Sequence, residues 1–190
     1  MIERRKIRIR GLVQGVGFRP HVYRQALAHD IAGVALNDGE GVLIEAEGET
    51  LDAFLEDLQA LAPPLARIDS VVEAGQAVQG ETGFRIGETR GADAGEAASA
   101  AIPADVALCD ACLNELFDRE NRRYLHPFIA CTDCGPRITM TRTLPYDRDG
   151  TTMGDFELCS SCAVEYEDPL TRRFHAEPIA CHDCGPRLTQ

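Results

Sequence analysis

Four C-x2-C pairs, arranged as two copies of one pattern, constrain this chain more than any other feature. Cys109-Asp110-Ala111-Cys112 and Cys131-Thr132-Asp133-Cys134 recur fifty residues later as Cys159-Ser160-Ser161-Cys162 and Cys181-His182-Asp183-Cys184, with 18 residues between the pairs of each copy. The likeness extends beyond cysteine. Arg122-Arg123, Ile129-Ala130, Asp133 and Gly135-Pro136-Arg137 align with Arg172-Arg173, Ile179-Ala180, Asp183 and Gly185-Pro186-Arg187, so one module was duplicated. A C-x2-C knuckle lets two thiolates reach one ion, and a second knuckle completes a tetrahedron with sulfur about 2.3 Å from zinc. The pattern therefore predicts two zinc ions, one on Cys109, Cys112, Cys131 and Cys134 and one on Cys159, Cys162, Cys181 and Cys184. Four sulfurs leave no open coordination position, which makes both sites structural. Redox C-x-x-C pairs are the rival reading, but four of them in a duplicated module with no thioredoxin-like context make a poor redox design.

Each module is poor in large apolar residues, so the metal is expected to supply much of its folding free energy. His126, His175 and His182 hold no repeated position and are read as surface or supporting residues rather than ligands. The basic start, Arg4 to Lys6, is followed by no signal-peptide-like apolar run, and no segment approaches about 18 apolar residues. A cytoplasmic chain without membrane contact is expected; thiols stay reduced there, which favours metal over a disulfide framework. The balance of 19 basic and 31 acidic residues, a formal net charge of −12, repels nucleic acid rather than steering it.

The 190 residues suffice for two small units. Residues 89–104 are rich in small residues without apolar periodicity and read as a linker. They separate a unit at 1–88 from the tandem modules at 105–190, the copies lying at about 105–140 and 155–190. In the first unit, Ile7 to Arg10 alternates as a strand and Pro20 to His29 reads as a helix with Val22, Tyr23, Ala26 and Leu27 on one face. Gly33 to Asn37 and Val42 to Glu47 read as a hairpin across Asn37-Asp38-Gly39-Glu40-Gly41. Thr50 caps a second helix with the seam Leu51, Phe54, Leu55, Leu58 and Leu61, which Pro63-Pro64 ends. Ile68 to Glu73 and Gly83 to Gly87 are the last strands. Strand, helix, strand, strand, helix, strand is the split βαβ order of an α+β, ferredoxin-like βαββαβ domain.

Between the first strand and helix stands G-L-V-Q-G-V-G-F-R-P, Gly11 to Pro20. Gly15 and Gly17 permit a turn tight enough to converge several N–H groups, Pro20 suits the first helical position, and Arg19 adds a guanidinium that can fork two phosphate oxygens. The stretch reads as a phosphate cradle, with an ordinary tight turn as the alternative.

On V-Q-G-V-G-F-R at Val13 to Arg19 and G-V-A-L-N at Gly33 to Asn37, the first unit resembles the acylphosphatases. The resemblance implies that Gln14, Gly15, Val16, Gly17, Phe18 and Arg19 bind the phosphate, and that Arg19 and Asn37 are catalytic, Asn37 positioning the attacking water. No metal or covalent nucleophile is needed, because an acyl phosphate has a good leaving group. With two C-G-P-R-terminated modules behind it, and with Leu144-Pro145-Tyr146-Asp147-Arg148 between them, the whole chain resembles the front part of the HypF family, the carbamoyltransferases of NiFe-hydrogenase maturation. That implies hydrolysis of carbamoyl phosphate, or of another acyl phosphate, to carbamate and phosphate. The resemblance further implies partners, namely later domains that use ATP and a maturation protein whose C-terminal cysteine accepts the carbamoyl group. Because the sequence stops at Gln190, those later domains are expected to be absent. The other reading is a zinc-dependent module with an inactive scaffold, in which Arg122-Arg123 and Arg172-Arg173, beside Tyr124 and Phe174, touch a protein or, against the charge balance, an RNA.

Overall fold

The structure, a computed structural model, describes residues 1–89 and 102–188. The alternating first stretch forms β1 (Glu3–Leu12), followed by α1 (Phe18–Ala28), β2 (Ala32–Asp38), β3 (Gly41–Gly48), α2 (Leu51–Ala60), β4 (Arg67–Gln76) and a short β5 (Phe84–Ile86). The sheet order is β4-β1-β3-β2-β5. Strand β1 runs antiparallel to β3 and β4, and β2 runs antiparallel to β3 and parallel to β5. This is the expected ferredoxin-like arrangement with one added edge strand.

One face of the sheet carries both helices. Ile7, Ile9, Ala35, Val42, Ile44 and Ala46 meet Val22 and Ala26 of α1 and Leu51, Phe54 and Leu58 of α2 in a single core. Two seam residues fall outside it. Leu27 is 52% exposed, because five residues past Val22 it lies about 140° around the helix. Leu61 is 58% exposed because α2 ends at Ala60. On the other face Arg4, fully enclosed, pairs with Glu45, Glu47 and Glu81 at 2.8, 3.2 and 3.1 Å. Glu47 is therefore buried as one member of an ion-paired cluster.

Each cysteine module opens with a two-turn helix, α3 (Asp110–Phe117) and α4 (Ser160–Glu167). The first cysteine sits at each N-cap, and the Cys109 sulfur accepts the Cys112 N–H at 3.4 Å. The module cores are small. Cys112, Cys131 and Cys134 surround Ile129, while Cys162 and Cys181 surround Ile179 and Ala176. The linker expected at 89–104 lies largely outside the described residues, and among the described residues no helix is long and apolar enough to cross a membrane.

Candidate active site and metal centres

The turn between β1 and α1 is shaped by two left-handed glycines, Gly15 at φ 70° and Gly17 at φ 73°. Gly17 is the N-cap of α1, so the helix begins at Phe18, two residues earlier than the sequence suggested. Pro20 consequently stands third in the helix, still within the turn whose N–H groups have no intrahelical partner. Val16 and Phe18 bury their side chains in the core and offer only backbone N–H groups to a ligand. Arg19 lies in the first turn, 7% exposed, and Asn37 near the end of β2, 1% exposed. Asn37 pairs with Val42 inside the ladder, and the turn belongs to Asp38, whose carboxylate accepts the N–H groups of Glu40 and Gly41 at 2.9 and 3.1 Å. Gln14 braces the site rather than facing it. Its Nε2 donates to the carbonyls of Asp38 and Gly41 at 2.8 and 2.9 Å, and its Oε1 accepts the Tyr146 N–H at 2.8 Å.

That last bond crosses between the units, and others follow it. Gly15, Gly17, Arg19 and Asn37 form one wall of a cavity of about 20 Å³ whose other wall is Thr132, Tyr146, His175 and Glu177 of the cysteine unit. A Cβ on Gly15 would come within 2.7 Å of Pro136 Cβ, and one on Gly17 within 3.0 Å of Thr132 Cβ. The glycines thus permit both the turn and the close approach of its cover. Asn37 Nδ2 donates to the Tyr146 carbonyl at 3.0 Å, which leaves Asn37 Oδ1 buried without a partner. Arg19 Nη2 pairs directly with the Glu177 carboxylate.

Glu177 is wholly buried. Tyr166 OH donates to its Oε2 at 2.7 Å, and Arg148 Nη1 to its main-chain carbonyl at 2.7 Å. Burial pushes the Glu177 carboxyl up to about 7 against the pull of Arg19, and the charge of Asp147 adds to the rise. Against the cost of its own burial, Arg19 holds Asp147 below the usual carboxylate range. Burial and Arg19 push His175 down to about 4, so its imidazole is neutral. Sequence reasoning identified none of the cover residues as part of the site. One signal for Glu177 was present: its counterpart in the first module is Pro127, so a carboxylate enters an otherwise apolar stretch in one copy only.

The eight cysteines fall into the two expected sets, each with its four sulfurs within 4.8 Å of one another. Measured Sγ–Sγ separations are 3.6 and 3.8 Å in the first and 3.7 and 3.8 Å in the second. A disulfide needs about 2.05 Å. Sulfurs about 2.3 Å from a central zinc stand about 3.8 Å apart in a tetrahedron, so the sets fit that ion. No histidine joins them. His126, expected near the surface or in support, is fully buried against His182 and Phe128.

The arginine pairs cross between the modules instead of facing outward. Arg122 Nη2 donates to Cys162 Sγ at 2.6 Å, and Arg123 donates to Glu165 and to the Ala180 carbonyl. Reciprocally, Arg172 Nη1 donates to Cys131 Sγ at 3.0 Å, and Arg173 pairs with Glu115 and donates to the Ala130 carbonyl. The arginines proposed for an RNA or protein partner are thus consumed within the chain.

The acylphosphatase family pattern matches residues 5–86, and that of the HypF finger matches residues 108–141 and 158–190. The carbamoyltransferase HypF2 of Cupriavidus necator is 53% identical over 154 residues, which is 80% of this chain and 19% of that protein. An acylphosphatase of Caldivirga maquilingensis is 40% identical over 85 residues, 43% of this chain and 90% of its own. The crystal structure of full-length HypF in a phosphate- and nucleotide-bound form superimposes with a TM-score of 0.92 at 42% identity, covering 100% of this chain and 25% of that one. The chain spans about a fifth of the length of the curated carbamoyltransferases it matches.

Proposed function

Because this chain belongs to the HypF family, with an acylphosphatase unit joined to two HypF fingers, we propose that it hydrolyses carbamoyl phosphate to carbamate and phosphate, as a first step toward carbamoyl transfer in NiFe-hydrogenase maturation. The observation that carries this reading is the convergence of Arg19, Asn37, Gly15 and Gly17 on one cavity. The N–H groups at the start of α1 and the Arg19 guanidinium hold the phosphoryl oxygens, where negative charge concentrates in the transition state. Asn37 is locked by its Nδ2 bond to Tyr146, so its unpartnered Oδ1 is an acceptor aimed at a water. The water oxygen bonds to phosphorus as the phosphorus–oxygen bond to the carbamoyl group breaks. The carbamoyl oxygen leaves with the bonding pair as carbamate, and both water protons stay on the phosphate. No general base is obligatory for so good a leaving group.

Residues 1–88 are the hydrolytic unit in this reading and 105–190 a structural one, with 89–104 between them. Two zinc ions, one in each four-cysteine cluster, would hold the fingers folded and take no part in the reaction. The later steps, and the ATP and maturation protein they require, belong to the part of the family's length that this chain does not span. The test is phosphate release from carbamoyl phosphate. Arg19→Ala and Asn37→Ala are each expected to lower kcat by about 100-fold or more with the fold intact. Full activity in both variants overturns the assignment.

A further inference from the structure

The second finger contributes more than a cover. The cavity holds about 20 Å³, room for roughly one water molecule. An acyl phosphate can enter only if Glu177 gives up Arg19 and the finger wall moves outward, because the opposite wall is the helix and sheet of the hydrolytic unit. Once the phosphate occupies the cradle and Arg19, its acyl group projects away from the cradle, toward Glu177, His175 and Tyr146. Glu177 has then lost its guanidinium and keeps the Tyr166 hydroxyl on Oε2 and its side-chain contact with Asp147. A buried carboxyl oxygen stripped of a donor is costly, and a replacement N–H or O–H on the incoming molecule removes that cost. The orphaned Asn37 Oδ1 lines the same cavity and is also an acceptor. Of the neighbouring polar groups, Asp147 is a carboxylate and Arg148 is taken up by the carbonyls of Glu177, Ile179 and Phe156, while the Tyr146 hydroxyl, buried without a partner, and the neutral His175 imidazole line the cavity but make no hydrogen bond to Glu177.

We propose that Glu177 is a specificity residue of this site, accepting a hydrogen bond from the NH2 of the carbamoyl group and so favouring carbamoyl phosphate over acyl phosphates that end in carbon. The proposal rests on the hydrolase reading above. Carbamoyl phosphate places two N–H donors beside the phosphate; acetyl phosphate places a methyl group there and leaves the carboxylate unpaired. A site built around a substrate N–H rejects analogues without it far more strongly than a pocket that only measures size. The residue arrives from the finger, beyond the 85 residues that align with the stand-alone acylphosphatase, so the finger gives the hydrolytic unit a selectivity the unit does not itself encode.

The experiment compares kcat/KM for carbamoyl phosphate and acetyl phosphate in the full chain, the Glu177→Ala variant and the Glu177→Gln variant. The cost of leaving a buried acceptor unpaired with acetyl phosphate predicts a wild-type preference for carbamoyl phosphate of roughly 10- to 100-fold from this contact. Glu177→Ala is expected to abolish that part of the preference, chiefly through a higher KM for carbamoyl phosphate, since the contact is made in ground and transition states alike. Glu177→Gln keeps the shape but presents an amide NH2 that competes with the acceptor oxygen for the substrate, and is expected to lose several-fold; it decides the matter if the alanine variant does not fold. An unchanged ratio, or an equal rise for both substrates, overturns the proposal and leaves Glu177 a mere competitor for Arg19, with the hydrolase reading intact. No phosphate release from either substrate in wild type overturns both.

Discussion

Replacing Arg123 with alanine is expected to weaken metal binding in the second finger rather than in the finger that contains it. The Arg123 side chain is 2% exposed. Its Nε donates to the Ala180 carbonyl at 2.9 Å, Nη1 to Glu165 at 3.1 Å and Nη2 to Cys162 Sγ at 3.3 Å, all in the other finger. Four thiolates around one divalent ion carry a net charge of about −2, which a guanidinium in contact with the sulfurs offsets. Removing one partner of a fully buried ion pair costs about 3–5 kcal/mol. Glu165 is 26% exposed and keeps Arg122 Nε at 3.8 Å. Solvent and that second arginine reduce the ionic part to about 2–3 kcal/mol, and the orphaned Ala180 carbonyl adds about 1 kcal/mol. The total corresponds to roughly 100- to 1,000-fold in the affinity of the second cluster. The chain is loaded with two cadmium ions and titrated with a chelator while the cadmium resonance of each four-sulfur site is followed. In Arg123→Ala the Cys159 cluster should empty first. In Arg173→Ala the Cys109 cluster should, because Arg173 serves Glu115 and Ala130 in the first finger. Loss from the substituted finger's own cluster, or equal loss from both clusters in both variants, refutes the reciprocal account.

Glu177 also predicts a pH dependence of stability. Its folded carboxyl titrates at about 7, above the ordinary glutamate value of about 4.3, so the folded chain binds this proton more tightly than the unfolded chain does. The stabilisation is complete below about pH 4 and is lost as pH rises through 7. Relative to Glu177→Gln, wild type should lose roughly 3 kcal/mol between pH 4 and pH 8; parallel denaturation midpoints across that range would contradict the burial argument. A glycine pair isolates the contact between the units. Gly15 and Gly80 share a left-handed φ of 70 and 71°, but a Cβ on Gly80 meets nothing within 4 Å, whereas one on Gly15 meets Pro136 and Tyr146. Gly80→Ala should cost about 1–2 kcal/mol for the backbone alone, and Gly15→Ala about 1–3 kcal/mol more for the overlap. Equal losses in thermal unfolding would mean that the cover does not press on the turn.

Local signals carried most of the first unit. Ile7 and Ile9 alternate with arginines, Leu51, Phe54, Leu55 and Leu58 recur at helical spacing, and each lies where its period placed it. Leu27 and Leu61 misled because a list of apolar spacings does not fix where a helix ends or how wide its buried face is. The cysteine sets were legible because ligand spacing is a covalent constraint that survives ignorance of the fold. Short-range pattern said nothing about contacts over long separations. Arg4 is one of three consecutive basic residues at the start, with no pattern to single it out, yet it closes the polar face of the sheet through Glu45, Glu47 and Glu81. Asn37 and Tyr146 are 109 residues apart, and Arg19 and Glu177 are 158 apart. Nothing in either neighbourhood announces its partner.

Duplication accounts for why the cover could be read only in part. Two copies of one module pack so that each supplies arginines to the other's sulfurs, the self-complementary arrangement a two-fold interface requires. Residues serving that exchange must be present in both copies, and they are: Arg122-Arg123 with Arg172-Arg173, and Glu115 with Glu165. The first unit can dock on only one side of such a pair. Residues that meet it are therefore free to differ between copies, and at two of them the repeat breaks. Thr132 abuts Gly17, while its counterpart His182 turns to the Tyr124 carbonyl at 2.8 Å. Glu177 reaches Arg19, while its counterpart is Pro127. Agreement between the copies at the arginines and glutamates marks what holds the pair together, while the first unit is met both by residues in which the copies differ, Thr132 and Glu177, and by one they share, Pro136.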